Sequence, residues 1–157
     1  GLDHFRWKLL TADLKIAMKS ADPTTVGVLR LVLSALNNKA IDKKGRTGSE
    51  ELTEEEMMQV MMTEAKKRKE SIEVFLKRNR ADLADKEKGE LEILQKYLPK
   101  QLGREEVEKI VEKKIETLRQ AQGDISFGNI MKAVMAELRG KADSAMISEL
   151  VKEKLGA

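Results

Sequence analysis

Residues 64–102, EAKKRKESIEVFLKRNRADLADKEKGELEILQKYLPKQL, decide the fold. The stretch reads as the end of one long helix, a turn, a second helix and a stop at Pro99. Seven basic residues lie between Lys66 and Arg80: Lys66, Lys67, Arg68, Lys69, Lys77, Arg78 and Arg80. Only Glu70 and Glu73 offset them within that span. Five acidic residues follow: Asp82, Asp85, Glu87, Glu90 and Glu92. Charges of opposite sign on successive helices suit an antiparallel pair, a hairpin on which the rest of the chain can pack.

Composition supports helices throughout. The 157 residues are 41% hydrophobic but only 3% aromatic, so a core must be built from Leu, Ile, Val, Met and Ala. Such a mixture, rich also in Lys and Glu, favours helix over strand. An all-α protein is expected. The net charge of +3 permits a polyanionic partner without requiring one. With no cysteine and a single histidine, His4, the chain can make neither a disulfide nor a thiolate or histidine zinc site. No apolar run approaches the roughly 18 residues that span a bilayer. Phe5 to Leu10 is too short and too charged for a signal peptide. These features suggest a cytoplasmic protein with no membrane partner, no metal and no cofactor.

Working outward, Thr53-Glu54-Glu55-Glu56 is a capping box with acidic first-turn residues. It predicts a helix of about 26 residues carrying Met57, Met58, Met61, Met62, Ala65, Ile72, Phe75 and Leu76 inward, ending at Asn79 and Arg80. The methionines fall at core spacing, which favours core filling over an adaptable binding surface. Asp82 is expected to cap the next helix, with Leu83, Glu87, Leu91, Leu94 and Leu98 inward and Tyr97-Leu98-Pro99 closing it. Upstream, residues 3–20 predict a helix capped by Asp3, with Phe5, Leu9 or Leu10, Leu14, Ala17 and Met18 inward and Trp7 at the edge. Ser20 to Pro23 breaks it. A second apolar helix runs from about Thr24 to Ile41, on Val26, Leu29, Leu33, Leu36 and Ala40, and Arg30 there needs a partner or an edge. Asp42 to Glu51 reads as a loop hinged at Gly45 and Gly48. After Pro99, three amphipathic segments predict a small bundle: Val107 to Leu118, a helix capped by Ser126 and stopped by Gly140, and one capped by Asp143. The expected domains are 1–99, a helical hairpin domain, and 100–157, a three-helix bundle.

No catalytic constellation emerges. A Cys–His nucleophile is excluded by composition. Most carboxylates suit i,i+4 pairing, as in Lys66–Glu70, Lys69–Glu73 and Glu73–Lys77. Arg68 is different: at 100° per residue it falls near Ala65, Ile72 and Phe75. An ion pair from Arg68 to Glu87 or Glu90 is expected, as a register lock or, alternatively, an active site. Arg139-Gly140-Lys141-Ala142-Asp143 joins two helices and puts two cations beside a helix N-terminus, a phosphate-binding pattern that the Asp143 cap weakens. So few aromatics leave backbone and shape as the route to any nucleic acid.

The stretch beginning KKRKESIEVF resembles the central signature of the GatB/YqeY family, particularly its stand-alone YqeY-like proteins. The matching features are Lys67-Arg68-Lys69, Phe75, Arg80-x-x-Leu83, Glu87, Glu90-x-x-Ile93-Leu94 and Tyr97-Leu98-Pro99. Asp13 to Lys19, Leu29 to Ala35, Gly128 to Met135 and Gly140 to Asp143 also fit. The family shares its helical module with the tail of the B subunit of tRNA-dependent amidotransferase, a tail associated with holding the tRNA body. A similar two-part region begins some glutaminyl-tRNA synthetases. The resemblance implies a tRNA-binding accessory module working with an amidotransferase or an aminoacyl-tRNA synthetase. The 157 residues show no counterpart of the B subunit's cradle domain or of the amidase subunit's serines and lysine. Family labels also imply a carbon–nitrogen ligase using glutamine as amide donor, and a protein-interaction adaptor is a third alternative. Candidate phosphate contacts are Lys66, Lys67, Arg78, Arg80, Lys132, Arg139 and Lys141; for a catalytic role the polar cluster is Arg68, Glu87 and Glu90.

Overall fold

Seven helices and no strand make up the regular backbone of the described residues, 2–156 of a computed structural model. They are α1 (Leu2–Lys19), α2 (Pro23–Thr47), α3 (Glu54–Lys77), α4 (Ala81–Gln95), α5 (Arg104–Gln120), α6 (Phe127–Leu138) and α7 (Ser144–Lys154). The protein is all-α. Side chains are described from Phe5 onward, so the cap expected of Asp3 lies outside the described residues. The chain forms two compact units, Gly1–Leu98 and Pro99–Ala157.

In the first unit the helix ends have local causes. The Asp22 carboxylate accepts from the Thr25 amide at 3.2 Å and the Thr25 hydroxyl at 2.6 Å, while Pro23 supplies a helix-ready φ in the first turn. Thr53 and Glu56 close the capping box, each side chain accepting from the other's amide at 3.1 Å. The stretch expected as a loop from Asp42 is a correction: α2 continues through Gly45 and stops only at Gly48. Lys43 explains the extension. Its ammonium donates to Glu56 and to the Glu51 carbonyl, both at 2.6 Å, so the last turns of α2 are tied to the start of α3. Gly48 then takes φ +81°, its amide donating to the Lys44 carbonyl at 2.8 Å, a left-handed stop that costs glycine little.

The hairpin turn is made by Asn79 at φ +57° and an Arg80 amide donating back to the Phe75 carbonyl at 2.8 Å. Asp82 is not the cap of α4. Arg80 occupies that position, and its guanidinium meets the Asp82 carboxylate in the first turn at 3.2 Å. The core of this unit joins Leu10 of α1, Leu29, Val32 and Leu36 of α2, Met57, Met61 and Ala65 of α3, and Leu94 and Leu98 at the end of the hairpin. On α1 the buried stripe is Leu10, Leu14 and Ala17; Phe5 and Met18, expected inside, are 66% and 52% exposed. Leu76 is exposed and Phe75 half-buried, because the inner stripe of α3 loses its cover where the hairpin reverses. Arg30 emerges to solvent.

The second unit buries one face from each helix at four-residue spacing: Val107, Val111 and Ile115; Ile130, Val134 and Leu138; Ile147 and Val151 with Leu150. Ser126 stands at the N-cap of α6, but its hydroxyl makes no cap bond. Its amide instead donates to Asp124 at 2.9 Å, so the turn is organised by Asp124. Asp143 caps α7 through the Ala145 amide at 3.3 Å.

Met61 is fully buried and Met58 only half-buried. Met61→Ala should therefore cost about 2–5 kcal/mol and Met58→Ala less than half as much. Urea unfolding followed by far-ultraviolet dichroism measures both; equal losses would contradict the packing described.

Candidate functional site

The hairpin carries the main polar cluster. Arg68 sits on the buried face of α3 between Ala65 and Ile72 and is 6% exposed. One terminal nitrogen donates to the Glu64 carbonyl at 3.2 Å and lies 3.5 Å from the Glu64 carboxylate. Its Nε lies 3.6 Å from a Glu90 oxygen, close enough to attract but too far for a good hydrogen bond, and has no other partner. Glu87 is half-buried nearby. Burial, and then the Glu90 carboxylate, push the Glu87 carboxyl above its ordinary value, with Arg68 pulling the other way. Glu64 was not singled out in the sequence. Its signal was there, one helical turn before Arg68 on the inward side, and it is 8% exposed.

Among the described residues no trio of acidic or histidine side chains is disposed to hold a metal ion. What the cluster can do is fix one helix against the other.

The basic candidates lie on the outside. Lys66, Lys67, Arg78 and Arg80 are all exposed. Lys67 on α3 and Arg78 at its C-cap are eleven residues apart, about three turns or roughly 16 Å. Lys67 also lies 3.3 Å from the second oxygen of Glu64. Arg80 is engaged by Asp82, which raises the affinity of the guanidinium for its proton and lowers the Asp82 carboxyl. In the second unit, Lys132 and Arg139 are two turns apart on α6 and its C-cap, and both are exposed, as is Lys141. Between Arg139 and Lys141, Gly140 is buried at φ +77°. The Gly140 carbonyl accepts from the Gln101 amide group at 2.7 Å and the Lys141 carbonyl from the Leu102 amide at 2.8 Å. The backbone of this bend is thus held inward while its two cationic side chains reach solvent. Asp143 already occupies the amides of α7, so an anion here would meet the side chains of Arg139 and Lys141 rather than a bare helix end.

A second polar knot had no sequence signal, since its members are far apart in the chain. The Tyr97 hydroxyl donates to Asp13 at 2.6 Å, and burial, followed by that bond, pushes its pKa up. Arg6 donates to Glu54 at 2.6 Å and to the Tyr97 carbonyl.

Removing Arg68 leaves buried carboxylates facing one another, so Arg68→Ala should cost about 3–5 kcal/mol, and Arg68→Met/Glu64→Gln/Glu90→Gln much less. The raised pKa of Glu87 means that the folded state holds its proton more tightly than the unfolded chain. Its contribution to stability is full below the ordinary value of 4.5 and is lost as pH rises through the raised one. Glu87→Gln should therefore raise the urea midpoint at neutral pH, and the gain should fade below pH 4.5. A gain that persists in acid would overturn this assignment.

Residues 7–155 match the family described as Yqey-like protein. Curated relatives share the name "Altered inheritance of mitochondria protein 41, mitochondrial". The one from Pyrenophora tritici-repentis is 31% identical over 152 residues, covering 94% of this chain and 80% of the relative. That from Vanderwaltozyma polyspora is 32% identical over 150 residues, covering 92% and 79%. That from Lachancea thermotolerans is 39% identical over 89 residues, covering 57% of this chain and just under half, 46%, of the relative. The cytoplasmic expectation is corrected by these names, which place the relatives in mitochondria. Lack of cysteine and of a long apolar run, on which that expectation rested, suits a mitochondrial protein equally. From the match over nearly its whole length, the chain belongs to the YqeY-like family.

Proposed function

We propose that this protein is a tRNA-binding accessory module that grips phosphates rather than bases, in the service of an amidotransferase or an aminoacyl-tRNA synthetase. The observation that carries the reading is the bend at Gly140. It holds its own backbone inward and presents Arg139 and Lys141 outward, with Lys132 two turns before Arg139 on α6. Fixed cations on a rigid frame suit a folded polyanion, whose backbone geometry is fixed as well. The exposed Lys67 and Arg78 of α3 give the first unit a similar row. The resemblance to the amidotransferase tail supplies the choice of tRNA. A ligase reading finds less support, because Arg68, at the centre of the polar cluster, is buried within the hairpin.

The test is a fluorescence anisotropy titration of labelled tRNA at low and moderate salt. With about four phosphates neutralised, a fourfold rise in salt should weaken binding roughly a hundredfold. Arg139→Glu/Lys141→Glu should weaken it further at either salt, and a duplex RNA of similar length should compete poorly. No binding at low salt would reject the proposal.

A further inference from the structure

Helix α1 has two apolar faces and buries only one. Leu10, Leu14 and Ala17 turn into the core of the first unit. At 100° per residue, Phe5, Leu9 and Ile16 fall within about 40° of one another and roughly 130° from the centre of that stripe. They are 66%, 39% and 63% exposed. The row is about 16 Å long. Lys8, Lys15 and Lys19 lie about 40–80° to one side of Phe5, also exposed. Among the described residues, no ion pair involves any of these three lysines. Asp13, the acidic side chain of α1 among those described, is turned to Tyr97. Among the described residues, the outward face of α1 therefore combines large apolar side chains with positive charge, and its neighbouring carboxylate, Asp13, is turned to Tyr97.

We propose that this face is a contact for an anionic lipid surface, with Phe5, Leu9 and Ile16 entering the headgroup boundary and the three lysines meeting lipid phosphates. Charge complementarity selects the occupant: the face is positive, and a bilayer containing anionic lipid offers negative charge and apolar depth together. Shape favours lipid over protein. A convex row of three side chains on one helix offers no groove, and it is small beside the roughly 800 Å² that each partner contributes to a standard protein interface. A deformable boundary accepts it without a matching cavity. No helix among the described residues is long and apolar enough to cross a membrane. The expectation of no membrane partner drew on the absence of a spanning run and of a signal-peptide pattern, whereas lying in the surface plane needs only this mixed face.

The protein is titrated with vesicles of phosphatidylcholine alone and with vesicles containing roughly one-third phosphatidylglycerol, and binding is read by co-sedimentation. The proposal requires binding to the anionic vesicles only. Lys8→Glu/Lys15→Glu/Lys19→Glu should weaken that binding roughly a hundredfold. Phe5→Ser/Ile16→Ser, which alters two exposed residues, should weaken it roughly tenfold or more with its thermal melt unchanged. Absence of binding to anionic vesicles at low salt would overturn the proposal. So would binding indifferent to Phe5→Ser/Ile16→Ser, which would mark a purely electrostatic contact of the kind RNA makes. A concentration-dependent dimer lost in that variant, without vesicle binding, would assign the face to a second copy. Affinity of Phe5→Ser/Ile16→Ser for tRNA, measured in parallel, keeps this result separate from the tRNA reading.

Discussion

A guanidinium shut inside a helical hairpin is the constraint on which the first unit depends. Apolar contacts between α3 and α4 are forgiving: one leucine can replace another if α4 slides along its axis. Arg68 is not forgiving. A slip of one turn would carry Glu90 about 5.4 Å along α4, and in the direction that also draws Glu87 away it would leave a buried positive charge with only Glu64 beside it. The pair thus distinguishes one register from its neighbours more sharply than the leucines do. Its own geometry is loose, with Nε at 3.6 Å and otherwise unpartnered, so its value lies in the alternatives it penalises rather than in the bond it makes.

Once the register is fixed, the remaining elements of that unit are tied at their ends. Tyr97 and Arg6 join α1 to the close of α4 and the opening of α3, and Lys43 joins the last turns of α2 to the cap of α3. These bonds connect positions far apart in the chain, which explains what could and could not be read from sequence. Local signals were legible: the capping box at Thr53, the Asp22-Pro23 start, the four-residue spacing of the second unit, and Arg68 on an apolar stripe. Gly45 looked like a loop residue because the ammonium that holds its helix is anchored on Glu51 and Glu56, beyond any local window. On α1 two stripes satisfy helical periodicity, and only packing chooses Leu10, Leu14 and Ala17 over Phe5, Leu9 and Ile16. Asp82 was the better capping residue by type, yet Arg80 takes the position because the turn at Asn79 sets where α4 begins.

The candidate surface divides in the same way. Composition located the cations, and geometry adds what surrounds the backbone that carries them. Arg80 is matched by Asp82 within its own turn, whereas Arg139 and Lys141 flank a bend whose polar backbone is satisfied from inside by Gln101 and Leu102. A bend fixed by its carbonyls needs no ligand to hold its shape, and side chains on it meet a ligand with little reorganisation of the main chain.

Lys67 and Arg68 show how closely the two uses of charge are joined. They are adjacent in sequence and turned about 100° apart on α3, one 65% exposed and the other 7% by side chain. Both lean on Glu64, Lys67 through one oxygen at 3.3 Å and Arg68 through the other at 3.5 Å. An anion drawn to Lys67 competes with Glu64 for that ammonium. Surface charge and hairpin register therefore meet in one carboxylate.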